Sequence, residues 1–538
     1  MKNDTGPNPP IPIIENRAIE TQSSLTERIL SGSGPGALRL VRDSKLERDH
    51  SPSKIGADAF GTSNQKVSNK LTRILDGAGY FVTTGHQPIL FLGPMYVLYK
   101  VLTTIALAEE LEKSTGIPVL PVVWLASDDH DWREVGTTSL LDQSELIQNI
   151  SIQPPKGHEE RSVGSSLLDK SILDVINKAD EHLGIHSFSD DYLTFIRDSY
   201  KPGVTLTKAF TDLLLKVLGE RDYAWIDSSA PQVKKAATGL YTQILEDPTA
   251  TLVATDQGGS ILSSAGFEPP IIPIEGALPI FYDDGSRRMR LYLKDDEITL
   301  GRTGNRHEKQ TTWQKRLAER PEDFSPNVSS RPVLESYLLP VRATVLGPGE
   351  IAYWSQLPPL FDHLKVPCPS IHPRAGWVLL EPKVQRLLNR LGIESHDVHD
   401  GGEKTSASLT RQAHSKPVDE ALDELQSTLT LGLDNLETVV NTEIPGLKSA
   451  AGKMKKRLFN TVSEFSQNVD REARQRLASE LNQVQRCATN LYPNQTPQER
   501  VMNPFLYLSK YGPGLVDNMA EQTSQWVAAW LAGSNENR

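Results

Sequence analysis

Residues 80–131 constrain the fold of this chain more than any other stretch. The segment opens with aromatic and β-branched residues at positions 80–83, a composition typical of a strand. Apolar residues at helical spacing follow at positions 98–111, and a second apolar run occupies positions 119–126. Strand, helix and strand in this order predict a βαβ unit, in which the two strands are parallel.

Both predicted strands end in polar residues. The sequence TGHQP follows the first strand at residues 84–88, and SDDHD follows the second at residues 127–131. Open α/β sheets bind ligands outside the carboxyl ends of their strands. The two polar segments therefore predict an active site at one edge of the sheet.

Three further apolar runs predict strands of the same sheet, at residues 223–226, 341–346 and 366–371. A polar or glycine-rich segment follows each of them: DSS at residues 227–229, GPGE at 347–350 and HPR at 372–374. The sequence thus predicts an α/β fold with a parallel sheet, in which five strand ends carry polar groups or glycine turns.

The rest of the chain is arranged around this predicted core. Residues 1–65 are polar and rich in Gly, Pro and Ser, which favours an N-terminal arm, and residues 493–538 are apolar enough to pack back on the core. We assign residues 66–153, 223–269 and 326–400 to the core, residues 154–222 to a helical insertion, and residues 270–325 to a small antiparallel insertion with strands at 271–274, 280–282 and 289–293.

A different pattern begins at residue 417. Apolar residues recur there at every third or fourth position up to residue 492, with charged residues between them. This spacing predicts a coiled coil, and Pro445 and Gly446 interrupt it. We therefore expect an antiparallel helical hairpin, whose apolar stripe would offer a dimer surface.

Composition argues against several classes of protein. The 538 residues carry a net charge of −11, whereas general nucleic-acid-binding proteins present a basic face. No run of about 18 apolar residues predicts a membrane span, and the N-terminus lacks the apolar segment of a signal peptide. Cys368 and Cys487 are too few for a disulfide framework, so we expect a cytoplasmic protein.

The acidic cluster at residues 128–131 combines three carboxylates with an imidazole. Such a group can hold an ammonium, accept a proton from an attacking amine, or bind a metal ion. We predict that Asp129 and His130 contact the substrate, that Asp131 orients His130, and that Asp128 lies in the binding site. The alternative is a helix N-terminus with one Asp as its cap. A zinc site is the lesser alternative because no thiolates are nearby, and we expect no metal.

Two glycine-containing turns are further candidates for ligand contact. Gly85 allows close backbone approach, and His86 and Gln87 precede a helix whose N-terminus can attract an anion. Gly347 and Gly349 belong to a turn that can cradle a ligand in the same way. The alternatives are a strand-to-helix turn capped by His86, and a helix start at residue 347 whose glutamate balances the helix dipole.

Five motifs in order resemble the bacillithiol biosynthesis cysteine-adding enzyme family, BshC. The resemblance covers residues from about 70 to 515. Its motifs are TGHQP at 84–88 with GPMY at 93–96 and YK at 99–100, WLASDDHD at 124–131, SPNV at 325–328 with RP at 331–332, LP at 339–340 with GPGEIAY at 347–353, and QERV at 498–501 with YG at 511–512.

This resemblance implies a Rossmann-like core with connecting-peptide insertions, a coiled-coil arm and a homodimer. It also implies the last step of bacillithiol synthesis, in which the carboxyl group of cysteine is joined to the amine of glucosaminyl-malate. Malate carries two carboxylates, and Arg matches a carboxylate with its two-pronged guanidinium. Asn327 and Arg331 are therefore candidate substrate contacts, and Arg342 and Arg374 are candidate anchors.

One position departs from the family pattern. The family usually has Gln at the position of His86, and the imidazole adds a group that titrates near neutrality. Residues 83–86 also resemble the second half of the HxGH signature of class I aminoacyl-tRNA synthetases, with Thr in place of the first His.

Amide formation from a free carboxylate requires activation, and the analogy with class I synthetases implies an adenylate. No lysine loop of the KMSKS type and no Walker-type phosphate loop occurs in the sequence, which leaves ATP open as a cofactor. Two other functions stay open at this point. One is a nucleotide-binding coiled-coil assembly protein with a degenerate site, and the other is a ligase for a different amino sugar.

Overall fold

A six-stranded sheet forms the centre of the structure, a computed structural model that describes residues 12–16, 24–36, 38–43, 53–129, 131–157, 161–184, 186–302 and 307–533. Its strands are β1 (Phe60–Thr62), β2 (Tyr80–His86), β3 (Val119–Leu125), β4 (Ala224–Asp227), β5 (Val341–Leu346) and β6 (Ser370–Pro373). Their spatial order is β6-β5-β2-β3-β4-β1.

All strands of this sheet except β1 are parallel. The predicted parallel sheet is therefore confirmed, and the carboxyl ends of its five parallel strands lie at one edge. The antiparallel strand β1 was not expected from the sequence. In β2 and β3 nearly every side chain is buried, which agrees with their uninterrupted apolar composition.

The predicted crossover helix, α1 (Tyr96–Thr115), connects β2 to β3. It ends at Gly116, which adopts the left-handed conformation that glycine favours at this position. The helix Pro513–Leu531 also packs against α1, and most side chains of α1 are therefore buried. The chain leaves β2 toward β3 and later returns to the other side of β2 as β5. This reversal opens a crevice at the carboxyl end of the sheet, between β2 and β5.

The region between β3 and β4 contains the helices Ser171–Leu183, Ser189–Ser199 and Leu206–Leu218, which agrees with the helical insertion predicted at residues 154–222. It also contains a hairpin that was not predicted, formed by Thr137–Leu141 and Ile147–Ser151. The helices Pro231–Glu246 and Pro248–Ser264 follow β4.

The predicted antiparallel insertion is a five-stranded sheet. Its strands are Ala277–Asp283, Arg288–Lys294, Glu297–Leu300, His307–Glu308 and Phe324–Pro326, and the helix Gln310–Glu319 lies between the last two. The strand predicted at residues 271–274 is wrong. Pro273 lacks an N–H donor, and the backbone of Ile271 bonds to the side chain of Gln356 instead of to a strand.

The last part of the core contains the helices α2 (Ser330–Leu338), α3 (Pro348–Trp354) and Pro358–His363. The strand predicted at residues 366–371 begins only at Ser370. Pro367 and Pro369 precede it and have no N–H group to donate to the neighbouring strand β5.

The chain forms two compact units, residues 1–379 with 499–538, and residues 380–498. The second unit contains the helices Pro382–Leu391, Glu403–Gln412, Lys416–Glu443, Lys448–Arg476 and Ala478–Leu491. Lys416–Glu443 and Lys448–Arg476 pack on each other across the turn Pro445–Leu447, which confirms the predicted helical hairpin. Among the described helices, none combines the length and apolar composition that a membrane crossing requires.

Candidate active site

A cavity of about 760 Å³ opens at the carboxyl edge of the central sheet. Its lining comes from the ends of β2 and β3, from the segments that follow β4, β5 and β6, and from the antiparallel insertion. The predicted site residues that line it are Gly85, His86, Gln87, Asp128, Asp129, Asn327, Arg331, Gly347, Gly349 and Arg374. Motifs hundreds of residues apart in sequence therefore share one cavity.

Two predicted catalytic residues, His130 and Asp131, are not among the described residues that line the cavity. His130 lies outside the described residues. Asp131 does not line the cavity, and its predicted contact with His130 stays a prediction. Its carboxylate caps the short helix Trp132–Val135 and accepts the N–H groups of Arg133 at 3.0 Å and Glu134 at 3.2 Å. This is the helix cap that the sequence offered as the alternative.

Asp129 faces the cavity together with two polar neighbours. The side-chain amide of Gln87 donates to its carboxylate at 2.5 Å. Glu134, a lining residue that the sequence did not single out, lies close enough for burial and the charges of Asp129 and Asp131 to raise its pKa. The carboxylates of Asp129 and Glu134 can therefore attract a cationic amine in the cavity.

Asp128 is held by a buried cation that the sequence gave no reason to expect. The Lys234 ammonium lies 2.6 Å from its carboxylate and also donates to the carbonyl oxygen of Phe324 at 2.8 Å. Both charged side chains are almost fully buried. Asp128 therefore lines the cavity as half of an ion pair, which neutralises its charge.

His86 is a neutral imidazole with a defined tautomer. Its Nδ1 lies 2.8 Å from the carbonyl oxygen of Gln87, which can only accept, so Nδ1 carries the proton. Its Nε2 lies 3.2 Å from the hydroxyl of Tyr96 and must accept from it. Burial and the nearby Lys100 ammonium lower the pKa of His86 to about 4.

The crevice between β2 and β5 is bridged by Lys100 of α1 and Glu350 of α3. The ammonium of Lys100 donates to the carbonyl oxygen of Gly85 at 2.6 Å and to the Glu350 carboxylate at 2.7 Å. The same carboxylate accepts the N–H of Gly347 at 2.8 Å, which confirms the predicted helix start there. Burial lowers the pKa of Lys100, and Glu350 offsets part of this effect.

Arg331 of α2 requires glycine at residue 85. A Cβ atom on Gly85 would lie 2.5 Å from Nη1 of Arg331, which is far inside van der Waals contact. Arg331 donates to the buried Glu335 carboxylate at 2.9 Å. Burial alone would lower the pKa of Arg331, but Tyr353 and Glu335 outweigh it and raise that pKa. The guanidinium is thus fixed in its charged form beside β2.

The other predicted contacts also have structural partners. The side-chain oxygen of Asn327 accepts the N–H groups of Ser329 at 2.9 Å and Ser330 at 3.0 Å, and so helps to begin α2. Arg374 pairs with Glu499 through both ends of its guanidinium. Arg342, the remaining candidate anchor, is not among the residues that line the cavity.

The antiparallel insertion contributes cations that sequence reasoning missed. Arg288 and Arg290 lie on the same face of the strand Arg288–Lys294, and their guanidinium carbons are 3.9 and 5.1 Å from the ring centre of Phe281. Arg288 also donates to Ser325 Oγ and to the carbonyl oxygen of Pro326, each at 2.8 Å. The sequence could have indicated this pair, because alternate residues of a strand, such as 288 and 290, share a face.

The cavity is lined by more cationic than anionic side chains. Six cationic side chains line it, against four carboxylates. The cations are Lys100, Arg288, Arg290, Arg331, Arg374 and Arg500, and the carboxylates are Asp128, Asp129, Glu134 and Glu350. Several of these charges are already paired, Arg331 with Glu335, Arg374 with Glu499 and Asp128 with Lys234. The cavity therefore offers both cationic and anionic groups to a ligand.

Two family models match this chain. Residues 55–375 match the model described as the N-terminal Rossmann-like domain of bacillithiol biosynthesis BshC, and residues 377–528 match its C-terminal coiled-coil domain.

Curated relatives match over most of their own length. A protein of Salinibacter ruber is 31% identical over 460 residues, which cover 85% of this chain and 83% of the relative. A protein of Bacillus cytotoxicus is 28% identical over 471 residues, 86% of each chain, and one of Chlorobium phaeobacteroides is 26% identical over 479 residues, 86% of this chain and 84% of the relative. All three carry the name "Putative cysteine ligase BshC".

Proposed function

The chain belongs to the BshC family of bacillithiol biosynthesis, and from this premise we propose that it joins the carboxyl group of cysteine to the amine of glucosaminyl-malate. The observation that carries the proposal is the single cavity in which five sequence motifs of the family meet. The reaction forms a carbon–nitrogen bond, and the enzyme is a ligase.

The cationic part of the cavity supports recognition of the malate group. Arg331 is fixed in its charged form by Glu335, and Arg288 and Arg290 of the insertion contact the ring of Phe281. Malate presents two carboxylates, which the positive charges of these guanidinium groups attract. Arg374 adds a further positive charge, which Glu499 compensates.

The carboxylates of the cavity support recognition and deprotonation of the amine. Asp129 is one of them, with Gln87 holding its carboxylate. The bound ammonium first loses one proton to solvent; the neutral amine then attacks, and its nitrogen gains a bond to the cysteine carboxyl carbon and gives up a second proton. Asp129 accepts this proton, because a carboxylate is a suitable base once the carbon–nitrogen bond has made the nitrogen acidic.

The carboxyl oxygen of cysteine must leave for the amide to form. A free carboxylate oxygen is not a leaving group, so we propose a nucleoside triphosphate as co-substrate. It converts the carboxylate into an acyl phosphate with release of the nucleoside diphosphate, or into an acyl adenylate with release of diphosphate. The carbon–oxygen bond of that anhydride breaks as the carbon–nitrogen bond forms, and phosphate or the nucleoside monophosphate leaves. The experiment below tests this requirement directly.

We propose that the chain acts as a homodimer in the cytoplasm. The hairpin leaves several large apolar side chains exposed, among them Leu425, Leu431, Val439 and Phe465. Such a stripe is suited to pack against its copy. Sedimentation equilibrium should give twice the chain mass for the wild type and the chain mass for Leu431→Glu. The control is Leu173→Glu, an equally apolar exposed site outside the hairpin, which should stay dimeric.

The test of the ligase function is direct. Purified protein is incubated with cysteine and glucosaminyl-malate, with and without ATP, and the thiol product is measured by mass spectrometry. We expect product only with ATP, and almost none from Arg331→Ala or Asp129→Asn. The matched controls are Arg320→Ala, an exposed arginine outside the cavity, and Asp131→Asn.

Other outcomes separate the alternatives. Product with a different amino sugar but not with glucosaminyl-malate would assign another substrate. ATP binding without any product would favour a nucleotide-binding protein that has lost the chemistry. Product without ATP would contradict the proposed activation.

A further inference from the structure

The geometry points to Tyr96 as the residue that accepts a hydrogen bond from the substrate amine, with His86 as the positioning residue that turns its hydroxyl. This inference rests on the proposed function and names a contact within the same site. Neither residue has a role in the charge pairs of the cavity, and both line it.

The first step is the direction of the hydrogen bond between the two residues. His86 uses its Nδ1 proton for the carbonyl oxygen of Gln87, so its Nε2 has only a lone pair to offer. The hydroxyl of Tyr96, 3.2 Å away, must therefore donate. A phenol has one proton and two lone pairs. With its proton directed to His86, Tyr96 presents acceptors alone to the cavity.

The second step is the rigidity of the Tyr96 ring. The guanidinium carbon of Arg374 lies 5.3 Å from the centre of this ring, within cation–π distance. Arg374 itself is held by Glu499 and by the carbonyl oxygen of Ala375 at 2.9 Å. Because the ring and the hydroxyl are both fixed, the acceptor lone pairs have a fixed direction.

The third step is the place of the hydroxyl among the charges. Tyr96 interacts electrostatically with the carboxylates of Glu350 and Glu134 more strongly than with the cations Arg374 and Arg500, and Glu134 in turn interacts with Asp129. The acceptor therefore shares the cavity with carboxylates that attract the cationic amine. Burial raises the pKa of Tyr96 to about 12, so that the phenol keeps its proton during the reaction.

The roles in the reaction follow from these contacts. Tyr96 holds one N–H of the amine and sets the direction of its lone pair toward the cysteine carboxyl carbon. Asp129 takes the proton that the nitrogen loses when the bond forms. His86 contacts neither substrate nor proton acceptor, and acts only through Tyr96.

Three variants test the inference. Tyr96→Phe removes the acceptor and should raise KM for glucosaminyl-malate about tenfold while KM for ATP stays unchanged. His86→Leu removes the partner of the hydroxyl and should have the same effect. His86→Gln offers a carbonyl oxygen to the hydroxyl and should recover most of the loss. Tyr292→Phe, whose hydroxyl is not part of the cavity lining, is the matched control.

The pH profile of kcat/KM provides a second measurement. Because His86 stays neutral, we expect the profile between about pH 6 and 8 to be the same for the wild type and His86→Gln. Circular dichroism and thermal unfolding establish that each variant is folded. An unchanged KM in a folded Tyr96→Phe protein, or a His86→Gln protein as impaired as His86→Leu, would overturn the inference.

Failure of the role proposed for Tyr96 can be distinguished from failure of the proposed ligase function. If the wild type makes no product from glucosaminyl-malate, the ligase proposal itself fails. If it makes product and Tyr96→Phe behaves like the wild type, only the role of Tyr96 fails.

Discussion

Arg374 and Glu499 form a two-pronged ion pair beside the cavity, although 125 residues separate them in sequence. Both side chains are nearly excluded from solvent. The pair joins the end of β6 to the segment that returns to the first unit after residue 498. A buried pair of this kind holds its partners firmly, because loss of one leaves an uncompensated charge in a medium that solvates it poorly.

Removing one charge of this pair should therefore be costly. Glu499→Gln is expected to lower the free energy of unfolding by about 3–5 kcal/mol, measured by urea denaturation. Asp180→Asn breaks the solvent-exposed pair between Asp180 and Arg197 and should cost at most about 1 kcal/mol. Equal losses in the two variants would show that the Arg374 pair is not effectively buried in solution.

Gly85→Ala should displace Arg331. The new methyl group would lie 2.5 Å from Nη1 of Arg331 and 3.0 Å from its Cζ, so the guanidinium must move. We expect binding of glucosaminyl-malate to weaken about tenfold or more, measured by calorimetry, with a loss of about 1–3 kcal/mol in stability. Gly432→Ala has open space around its Cβ and should leave binding unchanged. Unchanged binding in Gly85→Ala would exclude Arg331 from substrate recognition.

Asp131 and Asp129 should respond differently to substitution. Asp131→Ala removes a helix cap and is expected to cost about 1 kcal/mol of stability while most of the product-forming rate remains. Asp129→Asn should lower that rate about a hundredfold or more with little effect on stability. The comparison uses product formation and urea unfolding on the same preparations. A large loss of rate in folded Asp131→Ala would return Asp131 to the catalytic group.

His86 should make the protein less stable in acid. Its pKa is lowered to about 4 in the folded protein, whereas the unfolded chain has the ordinary value of 6.5. As the pH falls below 6.5, only the unfolded chain gains this proton, so the free energy of unfolding decreases. The decrease reaches about 3 kcal/mol near pH 4.

The His86→Gln variant isolates this contribution. Urea unfolding between pH 7.5 and 4.5 should show a shallower decline of stability for the variant than for the wild type. The buried His372, whose pKa is lowered to about 3, is present in both proteins, so its effect cancels. If the free energy of unfolding falls equally with pH in the wild type and in His86→Gln, His86 is protonated in the folded state.

The sequence alone predicted the elements that follow from local patterns. Uninterrupted apolar runs identified β2 and β3, because strands covered on both faces need no polar alternation. Spacing of three and four residues, interrupted by Pro445, identified the helical hairpin. The turns after the strands indicated the edge where the cavity opens, since the carboxyl ends of parallel strands necessarily share an edge.

Local patterns also explain the errors. The strand predicted at residues 271–274 had the expected apolar residues but contains a proline and finds no partner strand. The acidic cluster at residues 128–131 did not reveal which carboxylate would be a helix cap, because a cap and a catalytic base have the same composition. Only the position of the helix Trp132–Val135 separated Asp131 from Asp129.

The tertiary structure alone decided which charges meet. Lys234 approaches Asp128, Lys100 approaches Glu350, and Glu499 approaches Arg374, each from a distant part of the chain. Such pairs leave no periodic signal in the sequence, since a partner is selected by the path of the chain and not by its spacing. The sequence determined which side chains reach the edge of the sheet. The packing of distant elements determined which of them are neutralised and which face the cavity, because the cost of burying a charge depends on what lies beside it.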